Sequence, residues 1–129
     1  MPPGAGVRSC PRHRLAADVF SPYGDRMAKN VAEQLVQQLV EAGVNRIYGV
    51  VGDSLNPIVD AVRRTGGAAK GGIDWVHVRH EEVGAFAAAA EAQVTGRLAV
   101  CAGSCGPGNT HLVNGLYDAH RSGAPEIGR

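Results

Sequence analysis

The chain has 129 residues, room for one domain at most, and its 13 Lys and Arg against 12 Asp and Glu exclude the broad basic surface that nucleic acid or an anionic membrane would need. Hydrophobic residues make up 44% but aromatic ones only 5%, with 18 glycines, so the core is built from small aliphatic side chains joined by many tight turns. Cys10, Cys101 and Cys105 form neither an even disulfide set nor a CxxC pair, and there is no 18-residue apolar run or secretory apolar region, so no membrane segment and a reducing, cytoplasmic location are expected.

Residues 1–26 mix Pro, Gly and Arg without an apolar period, and are expected to be a disordered extension; the periodic sequence begins at Met27, a plausible natural start. Asn30 with Glu33 three positions on reads as a capping box, and Val31, Leu35, Leu39 and Val40 give that helix an apolar stripe ending at Gly43. Arg46 to Val51 reads as a strand, after which Asp53 or Ser54 is expected to cap a second helix carrying Leu55, Ile58, Val59 and Val62, with Pro57 tolerated in its first turn. Thr65 to Gly72 reads as a flexible surface connector without chemistry of its own. Ile73 to Val78 is a second strand, and the helix after it starts near Glu81 and stops at Gly96. Leu98 to Ala102 is a third strand; it runs into a glycine-rich turn and a helix marked by Leu112, Val113 and Leu116.

Strands alternating with helices predict an α/β fold: a doubly wound, mainly parallel sheet with helices on both faces, over residues 27–125. Residues 126–129 are left as a tail where a further strand would be expected, so the sheet has three strands and the chain reads as cut short. Three loops, Gly49 to Ser54, Arg79 to Glu82 and Gly103 to Asn109, then share the carboxyl edge of the sheet. Glycine turns let a ligand approach the backbone, and Glu81 at a helix start supplies a fixed anionic acceptor suited to a protonatable ring nitrogen.

Taken alone, Glu81 and Glu82 would be ordinary dipole-complementing charges, and His80 a capping or solvent-facing ring. No metal site is expected, because Cys101, Cys105, His111 and His120 match no ligand spacing and Cys101 points into a sheet while Cys105 lies in a loop. GVVGDS lacks G-x-G-x-x-G and a Walker lysine, which leaves a generic nucleotide-binding loop as the weaker alternative. The Ala85 to Ala92 run reads as close helix packing, against the sheet or against a partner.

The blocks GVVGDSLNPIVDAVRR and VRHEEVGAFAAAAEAQVTGRLAVCAGSCGPGNTHLVNGLYDAHRSGAP, in this order and spacing, resemble the N-terminal pyrimidine-binding domain of thiamine-diphosphate enzymes, closest to pyruvate oxidase and quinone-dependent pyruvate dehydrogenase. The resemblance implies an incomplete thiamine-diphosphate-binding fold. It matches Glu81 to the glutamate that hydrogen-bonds the aminopyrimidine ring and promotes deprotonation of the thiazolium carbon, which then attacks pyruvate or another 2-oxo acid. It also implies that Gly106, Pro107 and Gly108 lie against the aminopyrimidine, that Gly52, Asp53 and Ser54 face the active-site cavity, and that His80 sits beside the acid. The same resemblance implies a homo-oligomer, and places Mg²⁺ with the diphosphate in a C-terminal domain and FAD in a middle domain, neither of them in this chain. The expected function is thiamine-diphosphate binding as the N-terminal part of an oxidative 2-oxo acid decarboxylase, inactive alone; an inert interaction fragment that pairs with a full-length relative is the alternative.

Overall fold

The computed structural model describes residues 29–128, so the expectations for residues 1–26 and for a start at Met27 fall outside the described residues. Helix α1 (Val31–Glu41) begins where the capping box was read: Asn30 Oδ1 accepts the Glu33 N–H at 2.8 Å, and Glu33 Oε2 accepts the Asn30 N–H at 3.1 Å. Two free donors of the first turn are thereby satisfied reciprocally. Gly43, with φ of +82°, turns the chain off the helix end and into β1 (Arg46–Gly49).

Helix α2 (Asn56–Arg64) leads to β2 (Asp74–His77), and α3 (Glu81–Thr95) leads to β3 (Ala99–Ala102). Beyond β3 come α4 (Pro107–His111), α5 (Val113–Ser122) and β4 (Glu126–Gly128). The expected sheet of three strands is corrected here: the segment read as a tail pairs in parallel with β3, Ala99 opposite Glu126 and Val100 opposite Ile127. Three residues are too short to carry a readable period, and what calls the strand into being is the row of unpaired groups along the outer edge of β3.

All four strands are parallel, in the order β2-β1-β3-β4. From β1 the chain moves outward to β2 and then crosses back over to β3, so the winding reverses between β1 and β3. Loops leave in opposite directions at such a point and open a crevice at the carboxyl ends of the strands. Strand alternation divides the core between two faces. Ile47, Val100 and Ala102 pack with Val36, Leu39, Ile58 and Val62 under α1 and α2; Ala99 and Cys101 pack with Ala85, Ala88, Ala92 and Leu112 under α3 and α5. The doubly wound α/β expectation matches this architecture. Among the described residues no helix is long and apolar enough to cross a membrane.

Small residues set the spacing on the second face. A Cβ on Gly115 would come within 2.4 Å of the Ala85 Cβ and 2.8 Å of the Ala85 carbonyl carbon, so α5 lies against α3 almost backbone to backbone.

Two local expectations are corrected. Neither Asp53 nor Ser54 caps α2 with its side chain; Asp53–Leu55 forms a 3₁₀ turn whose backbone oxygen at Asp53 accepts the Asn56 N–H, and Pro57 has no N–H to satisfy. The Thr65 to Gly72 connector is tied at both ends: Thr65 Oγ1 donates to the Val62 carbonyl at 2.7 Å and accepts the Ile73 N–H at 2.9 Å, and Asp74 Oδ1 accepts the Ala68 N–H at 3.0 Å. Side-chain anchors outside the glycines thus order a stretch whose own composition offers little to pack.

Glu126 interrupts the apolar packing of β4. Both carboxylate oxygens are shielded from solvent without a hydrogen-bond partner among the described residues, and the neighbouring Cys101 thiol points instead at the Ile127 carbonyl, 3.7 Å away. Burial pushes the Glu126 pKa above the ordinary 4.5, with the Asp118 charge adding a smaller push.

Two measurements check this packing. Gly115→Ala forces α5 away from Ala85 and is expected to lower stability by about 1–3 kcal/mol in urea denaturation followed by circular dichroism. Because the folded-state pKa of Glu126 is raised, the folded chain holds its proton longer than the unfolded one, and stability falls as pH rises from 4.5 through the folded value. Glu126→Gln is therefore expected to be more stable than the parent at neutral pH and to lose that segment of the pH dependence; an unchanged pH profile would contradict the assignment.

Candidate functional site

The three loops expected to share the carboxyl edge do so, and two of them are bonded to each other. Ser54 Oγ, in the turn after β1, lies 3.0 Å from Ser104 Oγ and accepts the Cys105 N–H at 3.0 Å, which pins the β1 loop onto the loop after β3. The hydroxyl released from capping α2 makes this bridge. Gly52 is close against it, since a Cβ there would meet Ser104 Oγ at 2.6 Å. Asp53 takes part through its backbone, as the start of the 3₁₀ turn.

The loop after β3 folds tightly before entering α4. A Cβ on Gly103 would lie 2.5 Å from the Gly108 carbonyl oxygen, so only a residue without a side chain permits this approach. Gly106 stands at φ of +80°, and Pro107 takes the first position of α4, where its fixed φ suits a helix start. Gly108 is carried by this turn onto the carboxylate of Glu81: a Cβ on Gly108 would stand 3.0 Å from Glu81 Oε1.

Glu81 is the first residue of α3, and its side chain is 14% exposed. The other oxygen, Oε2, lies 3.2 Å from His111 Nδ1. The Glu81 pKa is held below the ordinary carboxylate value; the largest cause is the hydrogen bond from its own backbone N–H at the helix start, which with the His111 hydrogen bond outweighs the opposing effect of burial. The group is therefore an ionised acceptor at neutral pH. His80 is the N-cap of α3, its Nδ1 accepting the Glu82 N–H at 3.3 Å, and its ring stacks on His111 with centroids 4.5 Å apart and planes inclined by 26°. Glu82 faces away from this arrangement, its Oε1 accepting from Asn114 Nδ2 at 2.6 Å, a tie between α3 and α5.

The structure thus brings Glu81, His80 and Gly108 to one point and sets Gly106 and Pro107 in the adjoining turn, while Gly52 and Ser54 join from the far side of the same loop. It adds two residues that sequence reading passed over. Ser104 is the partner of Ser54, and His111 was weighed only in the zinc question. Cys101 is buried in β3, a strand covered on both faces, and Cys105 is exposed in the loop after it. One signal for His111 existed: four residues past Pro107, a helix returns its side chain to the face from which it started.

Concavity alone would have led elsewhere. A cavity of about 510 Å³ opens between α1 and α2, lined by Lys29, Glu33, Arg64 and Gly72. Its charges are largely engaged, with Arg64 bonded to Glu33 at 2.8 Å. The carboxyl edge is the stronger candidate because it gathers an ionised acid, two imidazoles and two glycine turns at the winding switch.

Comparison with known proteins agrees with this geometry. Residues 29–127 match the family model of the thiamine pyrophosphate enzyme N-terminal TPP binding domain. The chain is 65% identical over 97 residues to an uncharacterized 42.6 kDa protein in the isoamylase 3′ region of Pseudomonas amyloderamosa, covering 75% of this chain and 23% of that protein. It is 50% identical over 98 residues to pyruvate oxidase of Lactiplantibacillus plantarum, covering 75% of this chain and 16% of the oxidase. To the acetolactate synthase large subunit of Parasynechococcus marenigrum it is 38% identical over 96 residues, 74% of this chain and 15% of that subunit. The chain therefore spans less than a quarter of each of these relatives. With a parallel sheet wound in both directions, a glycine turn seated on a helix-start glutamate and a family match across the described residues, the chain belongs to the thiamine pyrophosphate enzymes, as their N-terminal TPP binding domain.

Proposed function

We propose that this chain binds the aminopyrimidine end of thiamine diphosphate through Glu81 and forms the activating half of a site that decarboxylates a 2-oxo acid, pyruvate first among them, oxidatively. The observation that carries the reading is the state of Glu81: an ionised carboxylate with Oε2 engaged by His111 and Oε1 turned to the side-chain-free surface of Gly108. A ring N–H approaching over Gly108 meets an acceptor already fixed in place, and the charge-assisted hydrogen bond holds the ring in the protonated form that the reaction requires. When bound, thiamine diphosphate supplies the nucleophilic carbon for the carbonyl of the 2-oxo acid.

The fit extends to the neighbouring turns. The Gly106-Pro107-Gly108 turn would lie against the aminopyrimidine, and Gly52, Asp53 and the Ser54–Ser104 bridge would stand beside it at the same edge of the sheet. Pyruvate is favoured as substrate by the 50% identity to a pyruvate oxidase, against 38% to an acetolactate synthase subunit. The Mg²⁺ and FAD of the resemblance are not carried over to any residue of this chain. Assembly with further protein surface, a second copy included, is supported by the exposed Val83, Phe86, Val113 and Tyr117 on the outer side of α3 and α5.

Calorimetric titration with thiamine diphosphate and Mg²⁺, for the chain alone and mixed with a complementary C-terminal portion of a relative, tests the reading. Glu81→Gln is expected to weaken binding by about 1.5–3 kcal/mol, and to slow 2-oxo acid decarboxylation in the reconstituted mixture about 10²- to 10⁴-fold. Activity indifferent to Glu81→Gln would refute the role assigned to the acid; tight binding of an adenine nucleotide without thiamine binding would favour a plain nucleotide-binding domain. Gly108→Ala places a methyl group against Oε1 and is expected to abolish cofactor binding while leaving the urea midpoint close to that of the parent. Since the Glu81 pKa is depressed, binding is expected to persist through mildly acid pH and to fail only as pH drops through that lowered value.

A further inference from the structure

Glu81 is held at three points. Its backbone N–H and the start of α3 set the charge, Gly108 sets the limit on Oε1, and His111 Nδ1 stands 3.2 Å from Oε2. An ionised carboxylate only accepts hydrogen bonds, so the proton in this contact belongs to His111 Nδ1. His111 is itself held, because its ring stacks on His80 at 4.5 Å and the His80 ring is fixed by the Glu82 N–H at 3.3 Å.

The same three side chains bring possible ligand atoms within 4.8 Å of one another, and two imidazoles with a carboxylate form a donor set for a borderline divalent cation. The hydrogen bonds oppose that use. His80 Nδ1 is the acceptor in the cap, which in the neutral ring puts the proton on Nε2, and neither nitrogen is then free to ligate. His111 Nδ1 donates to the carboxylate. A cation taken by His80 Nδ1 must break the cap of α3, whereas His111 keeps a lone pair on Nε2 while its Nδ1 donates to Glu81.

We propose that His111 is a positioning residue for Glu81: Nδ1–H occupies Oε2, the stack on His80 keeps that N–H aimed, and Oε1 is left as the one oxygen presented to a ligand ring over Gly108. The proposal deepens the thiamine-binding reading and rests on it for the identity of the ligand. The hydrogen bond itself exists without any ligand and is measured separately.

The test follows the Glu81 side-chain carboxyl carbon by NMR through a pH titration in the full chain, for the parent, His111→Leu and His111→Asn. An Asn amide N–H lies near the place of Nδ1–H, whereas Leu offers no donor. The carboxyl titration is expected to move to higher pH in His111→Leu and to return toward the parent in His111→Asn. Thiamine-diphosphate affinity is expected to follow, falling about 10-fold in His111→Leu, the equivalent of losing one hydrogen bond to a charged group. His111 is exposed, so the fold survives either change, and unshifted methyl signals from Ala85 and Ala88 verify it. A Glu81 titration identical in the parent and His111→Leu, or identical in Leu and Asn, overturns the proposal. So does micromolar Zn²⁺ binding that shifts both His80 and His111, which would assign the cluster to a metal. If thiamine diphosphate fails to bind the parent while the Glu81 titration still responds to His111, the positioning role stands and only the ligand assignment falls.

Discussion

Gly103 meets Gly108 across the loop after β3 at a separation that admits no side chain on Gly103, whose would-be Cβ stands only 2.5 Å from the Gly108 oxygen. This close approach turns the chain from β3 into α4 within a few residues and presses bare backbone onto the Glu81 carboxylate. His111 reaches Oε2 because α4 starts there, and Ser104 meets Ser54 because the loop leaves β3 at the switch between β1 and β3. A bulkier residue at Gly103 would separate the acid from its surroundings without touching the acid itself.

Two glutamates show how environment divides one residue type. Glu81 has its own backbone N–H and an imidazole as donors, and its charge is stabilised; Glu126 sits on a short strand with neither oxygen partnered among the described residues, and burial disfavours its charge. The first is therefore an acceptor at neutral pH and the second a local strain on β4. The contrast reflects hydrogen bonding more than burial, since both side chains are largely removed from water.

Features that depend on local chain chemistry were legible in the sequence. The Asn30–Glu33 box, the left-handed stops at Gly43 and Gly96, and the placing of Cys101 in a buried strand and Cys105 in the loop after it follow from residue type and near neighbours. The position of Glu81 at a helix start was legible for the same reason, and the family blocks separated it from Glu82. Features that join distant parts of the chain were not. Ser54 looked like a cap because nothing in its neighbourhood reveals that Ser104 and Cys105 would take its hydroxyl, 50 and 51 residues away. His111 meets Glu81 only through the fold, and β4 is recruited by the edge of β3 rather than by a pattern of its own.

Helix α3 joins the two halves of this account in a mechanical sense. Its first residue is the acid, and its Ala85 lies against Gly115 almost backbone to backbone, about 6 Å along the axis from Glu81 at the rise of an α-helix. That contact acts as a fulcrum, and the helix as a stiff arm whose short end carries the carboxylate. A methyl group added at the fulcrum tilts the arm, and the displacement reaches Glu81 through a single turn that has no slack to absorb it. Packing between two helices, remote from any ligand, thus sets the tolerance to which the acid is aimed.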